Sequence, residues 1–360
     1  MAGFTFSFSG DDIDENLLTE DGSDSQLLSP QNIALERNRR MTTSAFPIAG
    51  QDTLKPQVHS LNAMLRDLPS RISYKTLTIN CENGTQVVIP RRELWDIRVQ
   101  LMAEDDDENL KNLGQSDIKT GIYEGGFKSW ESSSDLVKVL YQGNLNQSMC
   151  SRSVLELGCG TAFPSLFEFQ RQLQQSQTSG TVGNLSIGLA DYNPTVLRLV
   201  TLPNFILSWA QEFRGMLKDE GELEIDESLV EDFKCSIKSC QMTLSFFSGG
   251  WSPEFVRLVS ENMDINVFYF IVVGAETIYS PFALKSFTEV ILSLLMSSNG
   301  NNKFALVAAK TFYFGVGGTM EDFCEQVKIH NGAIRLICEE RVGVARAVVE
   351  VRLVSSNDSK

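Results

Sequence analysis

Short apolar segments alternate with longer amphipathic segments along the chain from about residue 120 onward. The apolar segments predict buried strands at 153–157, 185–190, 241–247, 267–273 and 303–309. The segments between them predict helices at 162–175, 195–218, 253–261 and 281–296. Such alternation is typical of parallel strands joined by right-handed crossovers. Two further stretches, 334–339 and 345–353, predict a hairpin that closes the sheet in antiparallel fashion.

The first third of the chain has a different pattern. Residues 1–70 are rich in acidic and small polar side chains, which predicts an acidic and largely disordered tail. Residues 71–119 predict a small segment with strands within 71–90 and a helix at 93–103. The main domain is predicted to span 120–360. Two polar insertions are expected on its surface: a Gln-rich continuation of the first helix into a loop at 170–178, and an acidic stretch at 218–228.

The composition restricts the class of protein. The chain has 360 residues and a net charge of −15, which argues against a broad nucleic-acid surface and suits a basic partner. Seven cysteines without a Cys-x-x-Cys pair, and only two histidines, predict neither a disulfide framework nor a metal site. No signal peptide is visible, and the apolar runs are too short to span a bilayer. We expect a soluble monomer in the cytoplasm and nucleus, with no membrane or sequence-specific nucleic-acid binding.

The main chemical signal is the stretch 154–160, Val-Leu-Glu-Leu-Gly-Cys-Gly, at the end of the first predicted main-domain strand. Gly158 and Gly160 allow a tight turn and let a ligand approach the backbone. A dinucleotide fingerprint would need a third glycine where Phe163 stands, and the lysine of a nucleoside-triphosphate loop is missing. Asp191, at the end of the next strand, suits the hydroxyl groups of a ribose. These residues favour a nucleoside without phosphates, S-adenosylmethionine, and hence a methyltransferase.

Five longer segments give the chain a resemblance to a known family. They are 122–131 (IYEGGFKSWE), 190–198 (ADYNPTVLR), 249–251 (GGW), 275–279 (AETIY) and 308–318 (AAKTFYFGVGG). These segments resemble the eukaryotic protein-histidine N-methyltransferases, which have the Rossmann-like, seven-strand α/β sheet of class I methyltransferases. The resemblance covers about residues 93–353. It implies methylation of the tau nitrogen of a histidine in a large-subunit ribosomal protein.

The resemblance also implies the residues of the cofactor site. The segment around Trp130 is expected to cover S-adenosylmethionine, the residues after Asp191 to hold its ribose, and those around Trp251 to lie by its adenine. Ala275 stands where the family often has serine, so one side-chain contact differs. The predicted cofactor-binding set is Ser129, Trp130, Glu131, Ser132, Ser133, Glu156, Gly158, Gly160, Asp191, Tyr192, Asn193, Gly249, Gly250, Trp251 and Ala275.

The chemistry at the acceptor suggests a role for Glu276. An imidazole, with a pKa of about 6.5, is mostly neutral at pH 7, whereas a lysine, at about 10.4, must first lose a proton. A histidine enzyme must therefore select the tautomer whose target nitrogen is bare, by accepting the hydrogen of the other nitrogen. Glu276 follows the fourth strand and is the candidate. The alternative is a structural carboxylate that caps local backbone or pairs with Lys310. Tyr279 is the second catalytic candidate, and Tyr313 is a candidate for lining the acceptor channel.

Two other functions remain open at this point. Protein-lysine methyltransferases of the same fold commonly have Asp-x-x-Tyr after the fourth strand, where this chain has Glu276-Thr-Ile-Tyr279. A non-catalytic ribosomal-protein chaperone would keep the fold and use the acidic tail to shield a basic partner.

Overall fold

Strands and helices alternate over most of the chain. The computed structural model describes residues 53–106, 126–143, 150–180, 182–215, 218–313, 318–341 and 343–354, which belong to the compact unit Met41–Lys360. Its strands are β1 (Gln57–His59), β2 (Arg71–Asn80), β3 (Gln86–Arg92), β4 (Arg152–Leu157), β5 (Leu185–Asp191), β6 (Glu220–Glu224), β7 (Met242–Ser248), β8 (Tyr269–Ala275), β9 (Asn302–Lys310), β10 (Gly332–Glu340) and β11 (Arg346–Leu353).

The helices in the same residues surround these strands. They are α1 (Leu61–Arg66), α2 (Leu94–Ala103), α3 (Glu131–Gln142), α4 (Phe163–Ser179), α5 (Pro194–Val196), α6 (Leu202–Arg214), α7 (Glu227–Ser239), α8 (Pro253–Asn262), α9 (Pro281–Ser297) and α10 (Met320–Ile329). A π-helical segment, Leu197–Thr201, connects α5 to α6. None of the helices that the structure describes combines the length and the apolar character that crossing a bilayer requires.

The central sheet has eight strands in the order β1-β7-β5-β4-β8-β9-β11-β10. The five strands from β7 to β9 in this order run parallel, and the β10–β11 hairpin adds antiparallel to β9. These seven strands confirm the predicted class I methyltransferase sheet and its terminal hairpin. The parallel strands begin and end within two residues of their predicted bounds. β1 adds an eighth strand, antiparallel to β7.

Two apolar cores lie on the two faces of this sheet. One face packs against α3, α4, α6 and α7, with Phe163, Phe169 and Phe205 fully buried. The other face packs against α8, α9 and α10, around Phe287 and Phe323. The five central residues of β8 are buried, which explains why this strand, Tyr-Phe-Ile-Val-Val-Gly-Ala, reads as a continuous apolar run rather than an alternating one.

The Gln-rich stretch 170–178 is helical, so the predicted polar loop is wrong. α4 continues to Ser179 and ends at Gly180. Gln170 is buried and donates from Nε2 to the carbonyl of Val88 at 3.1 Å. Gln172 donates to the carbonyls of Gly183 (2.8 Å) and Cys240 (3.0 Å). These glutamines fix neighbouring backbone segments, a role that composition does not reveal.

The acidic stretch 218–228 lies on the surface, as predicted, but it forms regular secondary structure. It contains β6, which pairs with β2 in a small sheet of order β3-β2-β6, and it leads into α7. β6 is an exposed edge strand of charged residues, so it carries no apolar signal. The predicted helix over 195–218 ends at Arg214 because Gly215 follows with a φ of 58°.

The N-terminal elements pack onto the main domain. β2 and β3 share their sheet with β6, and Asn204 of α6 accepts a hydrogen bond from the backbone N–H of Arg92 at 2.8 Å. Part of the predicted tail, residues 53–70, contains β1 and α1. Residues 1–52 lie outside the described residues, so their disorder stays a prediction, as do the predicted domain boundaries.

Candidate active site

The chain turns sharply where β4 ends. Gly158 and Gly160 both have positive φ angles, 64° and 48°. A Cβ at Gly160 would lie only 3.0 Å from the carbonyl oxygen of Gly126, so the segment of Gly126 can approach only a glycine here. The hydroxyl of Thr201, in the π-helical segment, donates to the carbonyl of Gly160 at 2.7 Å. Residues 158–160, called the glycine corner below, are thus held by the segment of Gly126 on one side and by Thr201 on the other.

Asp191 lies beside this corner at the end of β5. Its Oδ2 accepts a hydrogen bond from the N–H of Gly160 at 3.0 Å, and its Oδ1 accepts one from the N–H of Asn193 at 3.1 Å. Burial raises the pKa of Asp191 to about 6, although these N–H groups favour its ionised form. At pH 7 this buried carboxyl is therefore mostly ionised and can accept hydrogen bonds from the hydroxyls of a ribose.

A cavity of about 800 Å³, including its open mouth, lies at the carboxyl ends of the parallel strands. This location, outside the carboxyl ends of parallel strands, is typical of ligand sites in α/β proteins. Ten predicted site residues line it: Trp130, Ser133, Gly158, Gly160, Asp191, Tyr192, Trp251, Ala275, Glu276 and Tyr279. The structure therefore brings together residues that are up to 149 positions apart in the sequence.

Three predicted residues near the start of α3 lie outside the cavity wall. Ser129 accepts a hydrogen bond from Arg91 at 3.2 Å, and Glu131 is exposed. Ser132 is fully buried and donates to Oε1 of Glu276. Ser132 thus lies behind a wall residue rather than in the wall.

Glu156 and Asn193, also predicted to bind the cofactor, support the wall from outside it. Glu156 is 2% exposed and accepts a hydrogen bond from the N–H of Ser165, at the start of α4, at 3.0 Å. Burial raises the pKa of Glu156 to about 8. Asn193 caps α5 by accepting from the N–H of Thr195.

Gly249 and Gly250 contact the N-terminal segment 53–56 instead of the cavity. A Cβ at Gly249, whose φ is 97°, would lie 2.4 Å from the carbonyl oxygen of Lys55. The N–H of Gly250 donates to the carbonyl of Leu54 at 2.8 Å, and the N–H of Leu54 donates to the hydroxyl of Tyr192 at 3.1 Å. These glycines therefore leave the space in which residues 53–56 pack against the backbone at Gly249 and Gly250 and against the hydroxyl of Tyr192. Their adenine contact stays a prediction.

The end of the cavity that is predicted to receive the methyl acceptor is organised around Glu276. Its φ is 58°, a left-handed conformation that costs about 1–3 kcal/mol for a residue with a side chain. Its N–H bonds to the carbonyl of Ala308 at 2.9 Å, and its carboxylate accepts from the hydroxyls of Ser132 and Tyr313. Burial and the nearby negative charge of Glu276 raise the pKa of Tyr313, which therefore remains a donor. The strained backbone and the two donors fix the carboxylate at the cavity wall.

Lys310 lies beside this arrangement at the end of β9. Its Nζ is 4.8 Å from the ring centroid of Trp130 and 5.8 Å from that of Tyr313. These are cation–π distances. The ammonium of Lys310 is therefore held by two aromatic rings of the wall, whereas the carboxylate of Glu276 receives hydroxyl donors.

Tyr279 has an unpaired polar group at the cavity. Its side chain is 5% exposed, and its hydroxyl has no hydrogen-bond partner among the described residues. A buried hydroxyl without a partner costs about 1–3 kcal/mol, which a ligand that hydrogen-bonds to it would recover. Thr277, also in the wall, has a second buried hydroxyl without a partner among the described residues, so a bound molecule that reaches this part of the wall can bond to both hydroxyls.

The predicted set omitted six of the residues that line the cavity. They are Gly126, Lys128, Cys159, Thr161, Thr277 and Lys310. Gly126, Lys128, Thr277 and Lys310 lie inside the segments that carry the family resemblance, and the other two lie in or beside the stretch 154–160. Extending each predicted site along its segment would therefore have found all six. Residues 122–125 and 314–317 of those segments lie outside the described residues.

The residues present fit S-adenosylmethionine. The glycine corner and buried Asp191 suit a ribose, the aromatic side chains of Trp130 and Trp251 suit an adenine or a sulfonium, and Tyr279 offers a free hydroxyl. No group of histidine, cysteine and acidic side chains within the described residues could hold a metal ion. Burial raises the pKa of the Cys159 thiol well above its usual range, so this wall residue remains a thiol.

Replacing Glu156 with glutamine is expected to stabilise the protein at neutral and alkaline pH. In the unfolded chain this carboxyl ionises at about 4.5, but in the folded protein only at about 8. The wild type therefore loses stability as the pH rises between these values, by at most about 1.4 kcal/mol per pH unit. Glutamine keeps the shape and the acceptor for Ser165 without this loss. We expect a gain of about 1–3 kcal/mol at pH 7 by urea denaturation, and little gain at pH 4.5. A gain independent of pH would contradict a raised pKa.

The fold and the site together define a class of protein. Seven strands have the order of a class I methyltransferase sheet, and the glycine corner faces an acid at the end of the neighbouring strand. The cavity opens at the carboxyl ends of these strands, where this class binds its methyl donor.

Relatives of the chain identify the family. Histidine protein methyltransferase 1 of Schizosaccharomyces pombe is 35% identical over 272 residues, which cover 73% of this chain and 74% of that protein. The protein of the same name from Saccharomyces cerevisiae is 30% identical over 351 residues, 89% of each chain. The chain belongs to the histidine protein methyltransferase 1 family. It is a methyltransferase with S-adenosylmethionine as its methyl donor, as the sequence predicts.

Other comparisons add little. No protein-family model matches the chain. Magnesium protoporphyrin IX methyltransferase from Synechocystis PCC 6803, solved with bound SAM, has a TM-score of 0.35 and 11% sequence identity, over 72% of this chain and 97% of that chain. The LepI complex with SAM has a TM-score of 0.33 and 10% identity, over 72% of this chain and 55% of that chain. These similarities are too low to support an argument about the site.

Cofactor affinity is expected to fall as the pH is lowered through about 6. Ribose hydroxyls donate hydrogen bonds to an ionised Asp191, and the raised pKa of about 6 means that this carboxyl takes up a proton near that pH. Affinity should then fall by up to about tenfold per pH unit below 6. Calorimetric titration with S-adenosylhomocysteine, the demethylated cofactor, between pH 5 and 8 measures this. A profile that is flat across this range would exclude Asp191 as the titrating group.

Proposed function

We propose that this enzyme transfers a methyl group to the tau nitrogen of a histidine in a large-subunit ribosomal protein. S-adenosylmethionine supplies an activated methyl group on a sulfonium when it is bound. The observation that carries the proposal is the fixed carboxylate of Glu276 in the cavity wall, held by Ser132 and Tyr313. The names of the relatives support histidine as the acceptor, and the family resemblance supports the ribosomal protein and the tau nitrogen.

Glu276 is suited to select a tautomer. Each of its carboxylate oxygens accepts one hydroxyl hydrogen bond and has a second lone pair for another donor. An imidazole whose pros N–H donates to this carboxylate leaves its tau nitrogen bare and directed away from Glu276. The protein then needs to supply only position and the exclusion of water, because the tau nitrogen already carries a lone pair.

Lys310 argues against a lysine acceptor. Its ammonium lies over Trp130 and Tyr313 in the wall of the same cavity. A protonated lysine side chain would bring a second positive charge into this space, whereas a neutral imidazole would not. The position of Lys310 therefore favours histidine over the protein-lysine methyltransferase that the sequence left open.

The test is methylation of ribosomal proteins in vitro. Large-subunit proteins, extracted from ribosomes of cells that lack the enzyme, are incubated with the protein and a labelled methyl donor. We expect label in tau-methylhistidine after hydrolysis and amino acid analysis. The Asp191→Asn variant should give much less label when the methyl donor is kept near the wild-type Kd. Label in methyl-lysine would favour the lysine enzyme, and label in pros-methylhistidine would reject the role given to Glu276. Failure to bind S-adenosylhomocysteine would favour the chaperone.

Location in the cytoplasm and nucleus, and a monomeric state, remain part of the proposal.

A further inference from the structure

Two phenylalanine side chains are exposed next to residues of the cavity wall. Phe282 is 60% exposed and follows Tyr279 by three positions, and Phe312 is 59% exposed and directly precedes Tyr313. Neither belongs to the apolar cores on the two faces of the sheet. Exposing an aromatic ring of this size forgoes about 1.5–3 kcal/mol of burial, so the fold by itself does not explain their positions.

The two segments that carry these side chains are in contact. Phe312 forms an antiparallel bridge with Thr319, which follows Gly318. A Cβ at Gly318 would lie 2.0 Å from the carbonyl oxygen of Ile278, so the backbone at Gly318 packs directly on the chain that leads into Tyr279. Phe282 lies just beyond, in the first turn of α9. Both aromatic residues are therefore at the rim of the acceptor end of the cavity.

We propose that Phe282 and Phe312 form a docking surface for the protein segment that flanks the target histidine. This inference rests on the proposed function, since it requires a side chain of a protein to enter the cavity. An extended chain advances by about 3.3 Å per residue, so the neighbours of a residue whose side chain is in the cavity must cross its rim. Apolar side chains on those neighbours would bury the two exposed rings.

Charged residues near the two rings indicate the charge of the protein segment that binds there. Glu321 and Asp322 are exposed at the start of α10, directly after the bridge residue Thr319. Lys285 is exposed on α9, three positions after Phe282, so exposed charges of both signs follow the two segments. The whole chain has a net charge of −15, which favours the approach of a basic partner. The surface therefore fits a basic protein with apolar residues next to its acceptor histidine.

The experiment compares one protein substrate with one minimal substrate. The double variant Phe282→Ala/Phe312→Ala is assayed on large-subunit proteins from cells that lack the enzyme, and on the acetylated and amidated tripeptide Gly-His-Gly. Phe268→Ala is the matched control, because Phe268 is 38% exposed just before β8, at the amino ends of the parallel strands. The melting temperature and the Kd for S-adenosylhomocysteine are measured for each variant.

For the double variant, we expect kcat/KM on the ribosomal proteins to fall at least tenfold, mainly through KM. On the tripeptide, kcat/KM should stay within about twofold of the wild type, as should the Kd for S-adenosylhomocysteine. If the tripeptide reacts too slowly to be measured, the test is whether the loss on the ribosomal proteins lies in KM, as we expect, or in kcat. An equal loss on both substrates, a loss in kcat alone, or no loss would overturn the docking surface.

The proposed function has its own readout in the same assay. A wild-type enzyme that binds S-adenosylhomocysteine but forms no methylhistidine on either substrate would reject the proposed function, and the docking surface with it. A wild-type enzyme that methylates histidine, with a double variant that does so equally well, would reject the docking surface alone.

Discussion

Replacement of Glu276 by glutamine is expected to lower kcat at least about 100-fold while leaving the affinity for S-adenosylhomocysteine within about threefold of the wild type. A positioned acid–base group contributes about 10²–10⁴-fold to rate. Glutamine keeps the shape of the side chain, but it presents one acceptor oxygen where the carboxylate presents two. The amide nitrogen must then face the hydroxyl of either Ser132 or Tyr313, and the negative charge that holds an imidazole tautomer is lost. Single-turnover kinetics and calorimetry measure the two quantities separately.

The matched control for this prediction is Glu254→Gln. Glu254 is an exposed residue of α8 that pairs with Arg257 at 3.9 Å, and it should change neither rate nor affinity. Turnover of the Glu276→Gln variant within about threefold of the wild type would remove Glu276 from the chemistry. A parallel loss of cofactor affinity would instead assign it to the methyl-donor side of the cavity.

Replacement of Asp191 by asparagine is expected to weaken the binding of S-adenosylhomocysteine about 100-fold. A hydrogen bond to a charged group contributes about 1.5–3 kcal/mol, and a ribose offers two donors to this carboxylate. Asparagine can accept from the N–H of Gly160 or of Asn193 with its one oxygen, but its amide nitrogen then opposes the other N–H. The cofactor would therefore lose its acceptor, and the glycine corner would lose one of its supports.

Stability distinguishes a binding role for Asp191 from a structural one. Burial raises the pKa of this carboxyl to about 6, so its charge at pH 7 lowers the stability of the folded protein without a ligand. The melting temperature of the free Asp191→Asn variant should therefore stay within a few degrees of the wild type while binding is lost. Asp232→Asn, on the exposed face of α7, is the control. A variant that melts much earlier, or that binds normally, would contradict the ribose-binding role.

The parallel sheet and its glycine corner could be predicted from the sequence because their signals are local. Strands buried on both faces appear as continuous apolar runs, as β8 does. Gly158 and Gly160 are adjacent to the strand that they terminate, and Asp191 is the last residue of its own strand. Each of these features depends on a few consecutive residues, so a single sequence contains it.

Polar segments with distant partners could not be predicted in this way. The charged strand β6 is paired by β2, about 150 positions earlier, and Gln172 is buried because it bonds to two backbone carbonyls. The polar composition of β6 and of the stretch around Gln172 is also typical of surface loops. Whether such residues are exposed or buried depends on which backbone groups tertiary packing places opposite them.

The sequence by itself determined the fold class, the family resemblance and the identity of most residues around the cavity. Only the tertiary structure placed Glu276 between Ser132 and Tyr313, placed Lys310 over Trp130, and showed that Gly249 packs against Lys55 rather than lining the cavity. The physical reason is that a residue type and its neighbours in the chain fix local conformation, whereas hydrogen-bond and cation–π partners come from segments that meet only when the sheet has formed.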